Sequence, residues 1–200
     1  MKRIFAGFII VALFLISQPA FAAKARAVIK GTEENSPITG EVLFTELKGG
    51  IEVRAQVAGV PPGKHGFHIH ENGSCDDQGK AAGSHYNPDG AMHGLVITDG
   101  FARAHAGDFG NIEVNDNGIG NLKIFVPGLT LSGLKYNIAG KAVILHEKTD
   151  DFGQPTGNAG GRIGCGTIQV FDSTDYTEPM QGQGGRPEGL PGDASKTQGK

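Results

Sequence analysis

Ile51-Glu52-Val53-Arg54-Ala55-Gln56-Val57 is the stretch on which the reading of the fold turns. Its apolar and polar side chains alternate with a period of two, the mark of a β-strand with one face buried and one in water. Working outward, Val42 and Phe44 alternate with polar neighbours in the same way. Gly66–Glu71, Asn111–Val114, Gly118–Val126, Ala142–His146 and Arg162–Val170 are further strand candidates. Turn chemistry separates them: Val60-Pro61-Pro62-Gly63, Asn115-Asp116-Asn117-Gly118 and Pro127-Gly128. Asn117-Gly118 reads as a hairpin tip because both residues tolerate positive φ. No segment of the domain holds a helical period over ten residues. Glycine fills 33 of 200 positions, more than twice the usual share of about 7%. Without a three-residue repeat this argues against collagen, and it argues against a helical bundle because each interior glycine costs a helix roughly 1 kcal/mol. The class expected is all-β, an antiparallel sandwich or barrel.

The ends of the chain read differently. Lys2 and Arg3 precede an apolar run from Ile4 to Ile16, and Ala20-Phe21-Ala22 supplies a small-x-small cleavage pattern. The run falls short of the roughly 20 residues that span a bilayer, so residues 1–22 read as a cleaved signal peptide rather than a membrane anchor. Removing them leaves 16 basic against 21 acidic residues, formally −5, where the full chain is −3. Neither balance offers the basic footprint that nucleic acid requires. Export to the periplasm or the extracellular space is an oxidising fate, consistent with a single Cys75–Cys165 disulfide. Residues 172–200 are rich in Gly, Pro, Gln and Ser and poor in large apolar groups; they read as a disordered tail. Residues 23–171 remain as one domain.

Two long irregular stretches, 71–110 and 147–161, interrupt the strands, and loops of that length inside a compact domain usually carry function. All seven histidines lie between positions 65 and 146. His68 and His70, one residue apart in a strand, point to the same face. His146 ends the apolar run Ala142–Leu145, while His85, His93 and His105 sit in the long loop with Asp108 three residues beyond His105. Imidazoles with an added carboxylate suit zinc or copper and serve hard, oxygen-seeking ions poorly.

Four motifs then stand out in order: Gly66-Phe67-His68-Ile69-His70, Gly83-Ser84-His85-Tyr86-Asn87-Pro88, His105-Ala106-Gly107-Asp108-Phe109-Gly110-Asn111 and Gly157-Asn158-Ala159-Gly160-Gly161-Arg162-Ile163-Gly164-Cys165-Gly166. Together they resemble the copper/zinc superoxide dismutase family, collinearly from about residue 38 to 170. The resemblance implies an eight-stranded Greek-key β-barrel with long metal-binding and active-site loops. It implies His68, His70, His85 and His146 as copper ligands, and His85, His93, His105 and Asp108 as zinc ligands, with His85 bridging. It implies Asp150 as the carboxylate joining a copper histidine to a zinc histidine, Cys75–Cys165 as the disulfide, and Arg162 as the active-site arginine. His65 has no ligand slot left and is expected to be a structural histidine beneath the site.

The activity implied is disproportionation of superoxide to dioxygen and hydrogen peroxide by an exported enzyme. The alternatives on the same barrel are a non-catalytic copper/zinc-binding module and a zinc-stapled interaction domain. The chain departs from the family's cytosolic eukaryotic members in a shorter loop after Asp151, with no charge at all in residues 152–161. That removes charged side chains that could guide an anion, and leaves Arg162 as the guide named from the sequence. These departures look most like secreted bacterial members. They leave the oligomeric state open, a homodimer included.

Overall fold

A computed structural model describes residues 22–171 of the chain, so the leader reading of residues 1–22 and the tail reading of 172–200 lie outside the described residues, apart from Ala22. Nine strands form: β1 Lys24–Gly31, β2 Thr39–Leu47, β3 Gly50–Ala58, β4 Gly63–His70, β5 Asp108–Val114, β6 Gly120–Pro127, β7 Ala142–His146, β8 Arg162–Thr167 and β9 Gln169–Phe171. They run in the order β2-β3-β6-β5-β4-β7-β8-β1, and the pairing of β1 with β2 closes the ring. β8 and β9 are two halves of one barrel position, since both pair with β1, through Lys30↔Cys165 and Lys24↔Phe171. Ile168 interrupts them, giving its backbone to Lys141 and Gly140 instead. The result is a closed, antiparallel, eight-position Greek-key barrel, as the sequence motifs implied.

The period-two alternation of β3 fills this barrel. Ile51, Val53, Ala55 and Val57 of β3 point inward beside Val42 and Phe44 of β2, while Arg54 and Gln56 face water. β4 and β7 behave otherwise, being buried along their final residues on both faces. Inward, Phe67, Ile69, Val143 and Leu145 join the main core. Outward, Ala142 and Ile144 pack with Ala82 and Cys165 in a second, smaller cluster against Cys75. His68, His70 and His146 share that covered outer side. A pleated strand sends alternate side chains to opposite faces, so one strand supplies both a hydrophobic core and a site.

Several sequence expectations need correcting. β1 was not foreseen, because its inward residues include Ala25 and Ala27, whose small side chains give a weak alternation. The stretch Arg162–Val170 is not one strand but two. Gly118 does adopt positive φ, but Asn117 does not. The tip is organised instead by Asn115, whose Oδ1 accepts from the backbone N–H groups of Asn117 and Ile119, each at 3.0 Å. The first long loop ends at 107, and it holds one 3₁₀ turn, Lys80–Ala82, and one α-turn, Val96–Asp99. Neither is long enough to show a helical period.

Cys75 and Cys165 form the disulfide, their Cα atoms 5.7 Å apart across a sequence separation of 90. It fastens the 71–107 loop to the middle of β8. In the chain-entropy account a closure of that length contributes roughly 4.5 kcal/mol. Reduction of the metal-free protein should therefore lower its melting temperature markedly by calorimetry; an unchanged value would refute the link.

Candidate metal centre

His68 and His70 leave β4 on its outer side, and β7 lies alongside with His70 paired to Ala142. His85 arrives from the loop through a single bridge to His70. His68, His70, His85 and His146 are all buried, with donor atoms within 4.8 Å of one another. The nitrogens on the far sides of the strand-borne rings are occupied. His68 Nε2–H donates to Asp150 Oδ2 at 2.8 Å, His70 Nδ1–H to the Gly83 carbonyl at 2.9 Å, and His146 Nδ1 faces the Gly160 carbonyl at 3.4 Å. This network sets the tautomers. It leaves lone pairs on His70 Nε2 and His146 Nε2, 3.4 Å apart, and on His68 Nδ1, a buried atom with no hydrogen-bond partner.

A second set adjoins the first: His85, His93, His105 and Asp108, again within 4.8 Å and buried. Asp108 Oδ1 is 2.8 Å from His85 Nδ1 and 3.1 Å from His105 Nδ1. Its Oδ2 accepts the backbone N–H groups of Gly94 and His105 at 3.0 Å each. His93 Nδ1 lies 2.9 Å from that same Oδ2, off the hydrogen-bonding direction, so it is a second buried nitrogen without a hydrogen-bond partner. His85 belongs to both sets. Asp150 stands between them, taking His68 Nε2–H on one side and His93 Nε2–H at 2.9 Å on the other. The seventh histidine, His65, sits outside both sets with its nitrogens against the carbonyls of His146 and Pro61.

Burial drives the electrostatics of the first set. Together with the neighbouring imidazoles it holds His70 down at about 2, His146 at about 3 and His85 at about 4. Burial also opposes charge at His93, yet Asp108 and Asp150 flank it and hold its pKa up at about 9. For Asp108 and Asp150 burial favours the neutral acid, but the imidazole hydrogen bonds outweigh it and keep both well below the usual carboxylate range. Convergent, unpartnered imidazole nitrogens suit copper or zinc, and three histidines with one carboxylate suit four-coordinate zinc.

Every ligand candidate read from the sequence is thus gathered in one place, and Cys75–Cys165 pairs beside it. Arg162, half-buried, donates Nη1–H to the Gly79 carbonyl and Nη2–H to the Gly83 carbonyl, each at 2.5 Å. Sequence reasoning missed four supporting groups. Asn111 holds the backbone of Asp150 through both its amide atoms, and Gln154 does the same for His93. Phe152 stacks on the His93 ring. At Gly157 a Cβ would fall 1.9 Å from Asp150 Oδ1 and 2.6 Å from His93 Nε2, so only glycine leaves room. Asn111 and Gly157 lie inside the quoted motifs; Gln154 and Phe152 carried no signal.

Residues 38–168 match the family described as copper/zinc superoxide dismutase (SODC). The extracellular Cu-Zn superoxide dismutase of Drosophila melanogaster is 42% identical over 146 residues, covering 68% of this chain and 78% of that protein. The extracellular Cu-Zn enzyme of Caenorhabditis elegans is 37% identical over 159 residues, covering 74% and 70%. The crystal structure of the clock protein EA4 is similar with a TM-score of 0.67 and 34% identity, over 78% of this chain and 100% of that one.

The depressed histidines set a pH dependence. In the metal-free protein His70, His85 and His146 stay neutral while each gains a proton in the unfolded chain below about 6.5. A depressed base favours the unfolded state as acid is added, so stability falls as pH drops from 6.5 towards 4. For three protons the slope approaches roughly 4 kcal/mol per pH unit. The melting temperature of the metal-free protein should be well below its pH 7 value at pH 5; equal values would show that the rings are not held neutral.

Proposed function

Since the chain belongs to the copper/zinc superoxide dismutase family, we propose a division of labour among its residues for that family's reaction. The protein is an exported superoxide dismutase that converts two superoxide anions and two protons to dioxygen and hydrogen peroxide. Copper supplies one-electron redox chemistry when bound, and zinc, with a single oxidation state, supplies a fixed charge.

His68, His70, His146 and His85 hold copper in this reading, and His85, His93, His105 and Asp108 hold zinc. The observation that carries it is the shared place of His85: its Nδ1 faces Asp108 while the same ring belongs to the four-histidine set. A ring serving both sets uses both nitrogens, so Nε2 is the atom that can hold a proton for the peroxide product whenever it is free. The unpartnered His68 Nδ1 and His93 Nδ1 support one position in each set. Asp150 fixes the tautomers of His68 and His93 together, as second-sphere carboxylates do for metal-binding imidazoles.

Arg162 binds and orients the anion. It lines an open cavity of about 420 Å³ with Lys80, Gly160, Gly161 and Glu147, and its guanidinium keeps N–H groups beyond those spent on carbonyls. We further propose that residues 1–22 are removed on export, that no membrane anchor remains, and that the enzyme works in the periplasm or outside the cell, without nucleic-acid partners. Metal analysis with a superoxide disproportionation assay on the mature protein tests the whole reading: a copper-loaded protein without activity would overturn it.

Two substitutions test the parts. His85→Ala should abolish activity and weaken both metals, because one ring serves two sites; full occupancy of both metals with an unaltered copper spectrum would sink the shared ring. Arg162→Glu should lower the second-order rate by at least about tenfold, roughly 1.4 kcal/mol in the barrier, with copper retained. Added salt should slow the parent and slow the variant less. Equal rates and equal salt slopes would show that Arg162 does not guide the anion.

A further inference from the structure

His93 differs from the other histidines of the two sets in how its backbone is held. His68, His70 and His146 lie on strands, whose ladders fix their main chain. His85 is bridged to His70, and the backbone N–H of His105 is taken by Asp108. His93 lies in the irregular 71–107 loop, and its N–H and C=O both go to one side chain. Gln154 Oε1 accepts from His93 N–H at 3.1 Å, and Gln154 Nε2–H donates to the His93 carbonyl at 2.8 Å. The carboxamide thus offers the paired bonds that a neighbouring strand would offer, and meets the requirement that main-chain polar groups find partners.

The grip comes from three alternate positions. Asp150 takes the ring through Nε2. Phe152 lies over the ring face, centroids 6.4 Å apart and planes 21° from parallel, and its backbone N–H is itself bound by Asp150 Oδ1 at 2.8 Å. Gln154 takes the backbone. The turn that presents them closes on itself: Asp151 N–H donates to the Gly157 carbonyl, Gly157 N–H to the Gly153 carbonyl, and Asp151 Oδ1 receives Gly153 N–H and Asn158 Nδ2–H. Phe152 sits at φ 60°, a region a bulky side chain rarely adopts, so its backbone is held in place by this closure. Both Phe152, 43% exposed, and Gln154 lie at the surface, so the grip can be altered without emptying the core.

We infer that Gln154 and Phe152 are positioning residues for His93 and set how long zinc is retained, an inference that rests on the reading of His93 as a zinc ligand. Opening the 152–154 segment frees the one ligand whose own N–H and C=O are bonded to a side chain outside the two sets, so zinc leaves by the release of His93. Partners of this kind, outside the ligands themselves, typically change metal affinity by about 10- to 100-fold.

The test is the rate of zinc transfer from the copper- and zinc-loaded protein to an excess of a chromogenic chelator. Gln154→Ala and Gln154→Met should both release zinc about tenfold faster than the parent, the second because methionine keeps the bulk and lacks the amide. Phe152→Ala should also release zinc faster. The visible spectrum of bound copper and the melting temperature of the metal-free protein should stay at parental values in all three. Release within twofold of the parent for Gln154→Ala, parental release for Gln154→Met, or an equal acceleration of copper loss would each overturn the inference. A parent that binds no zinc would overturn the reading beneath it as well, whereas a zinc-binding parent with unchanged variants removes the inference alone.

Discussion

Asp108 and Asp150 are carboxylates with almost no exposure, and among the described residues no lysine or arginine forms an ion pair with either. A buried negative charge has to be met by hydrogen bonds and positive charge or it unfolds the structure that buries it. Here the partners are imidazoles: three around Asp108 and two around Asp150, with His93 touching both. Metal ions held by these sets, as proposed, would supply the positive charge, and in the metal-free protein a proton held on His93 by its two flanking carboxylates supplies part of it. The loops bearing these groups send Val96, Ala104 and Ala106 into the main core, but the two carboxylates themselves depend on that compensation.

The barrel divides the task. Three of the four histidines in the copper set stand on neighbouring strands β4 and β7, whose opposite faces fill the main core with Phe67, Ile69, Val143 and Leu145. Their spacing is therefore as rigid as the barrel. All four residues proposed for zinc sit in or at the edge of the 71–107 loop, which is held by a few backbone bonds such as Tyr86 N–H to the Ile69 carbonyl, by side-chain bonds and by the disulfide. In the proposed assignment the redox metal would take three of its four ligands from strands and only His85 from the loop. The metal of fixed charge, in the same assignment, would tie together residues of the loop.

Much of this was legible in the residues. The alternation in β3 gives the class, and the His-x-His pair survives any error in strand ends because its geometry needs only an extended backbone. The motif order then gives every ligand candidate. What escaped was of two kinds. β1 was missed because alanine buries too little surface to mark a face; the hairpin tip at Asn117-Gly118 is present, but the Asn115 side chain organises it and Asn117 takes no positive φ. Gln154 and Phe152 escaped for a different reason: 61 residues separate Gln154 from the backbone it holds, and an amide in a glycine-rich loop looks the same with or without such a partner.

Arg162 shows how one placement can serve two ends. Its Nη2–H and the Nδ1–H of His70 share the Gly83 carbonyl, at 2.5 Å and 2.9 Å. The guanidinium is thereby tied to the turn beside the disulfide and brought within electrostatic reach of the four-histidine set. Its charge adds to burial in depressing both His70 and His146, which keeps their Nε2 lone pairs free of protons at neutral pH. The same charge lines the open cavity shared with Lys80 and Glu147, the approach proposed for the anion, against a formal background of −3 in the full chain. Screening confines such effects to about 8 Å at physiological salt, so a distant lysine cannot replace it. A cation proposed both to draw superoxide and to keep imidazoles unprotonated has to sit close to those imidazoles, and the carbonyls of Gly79 and Gly83 hold it there.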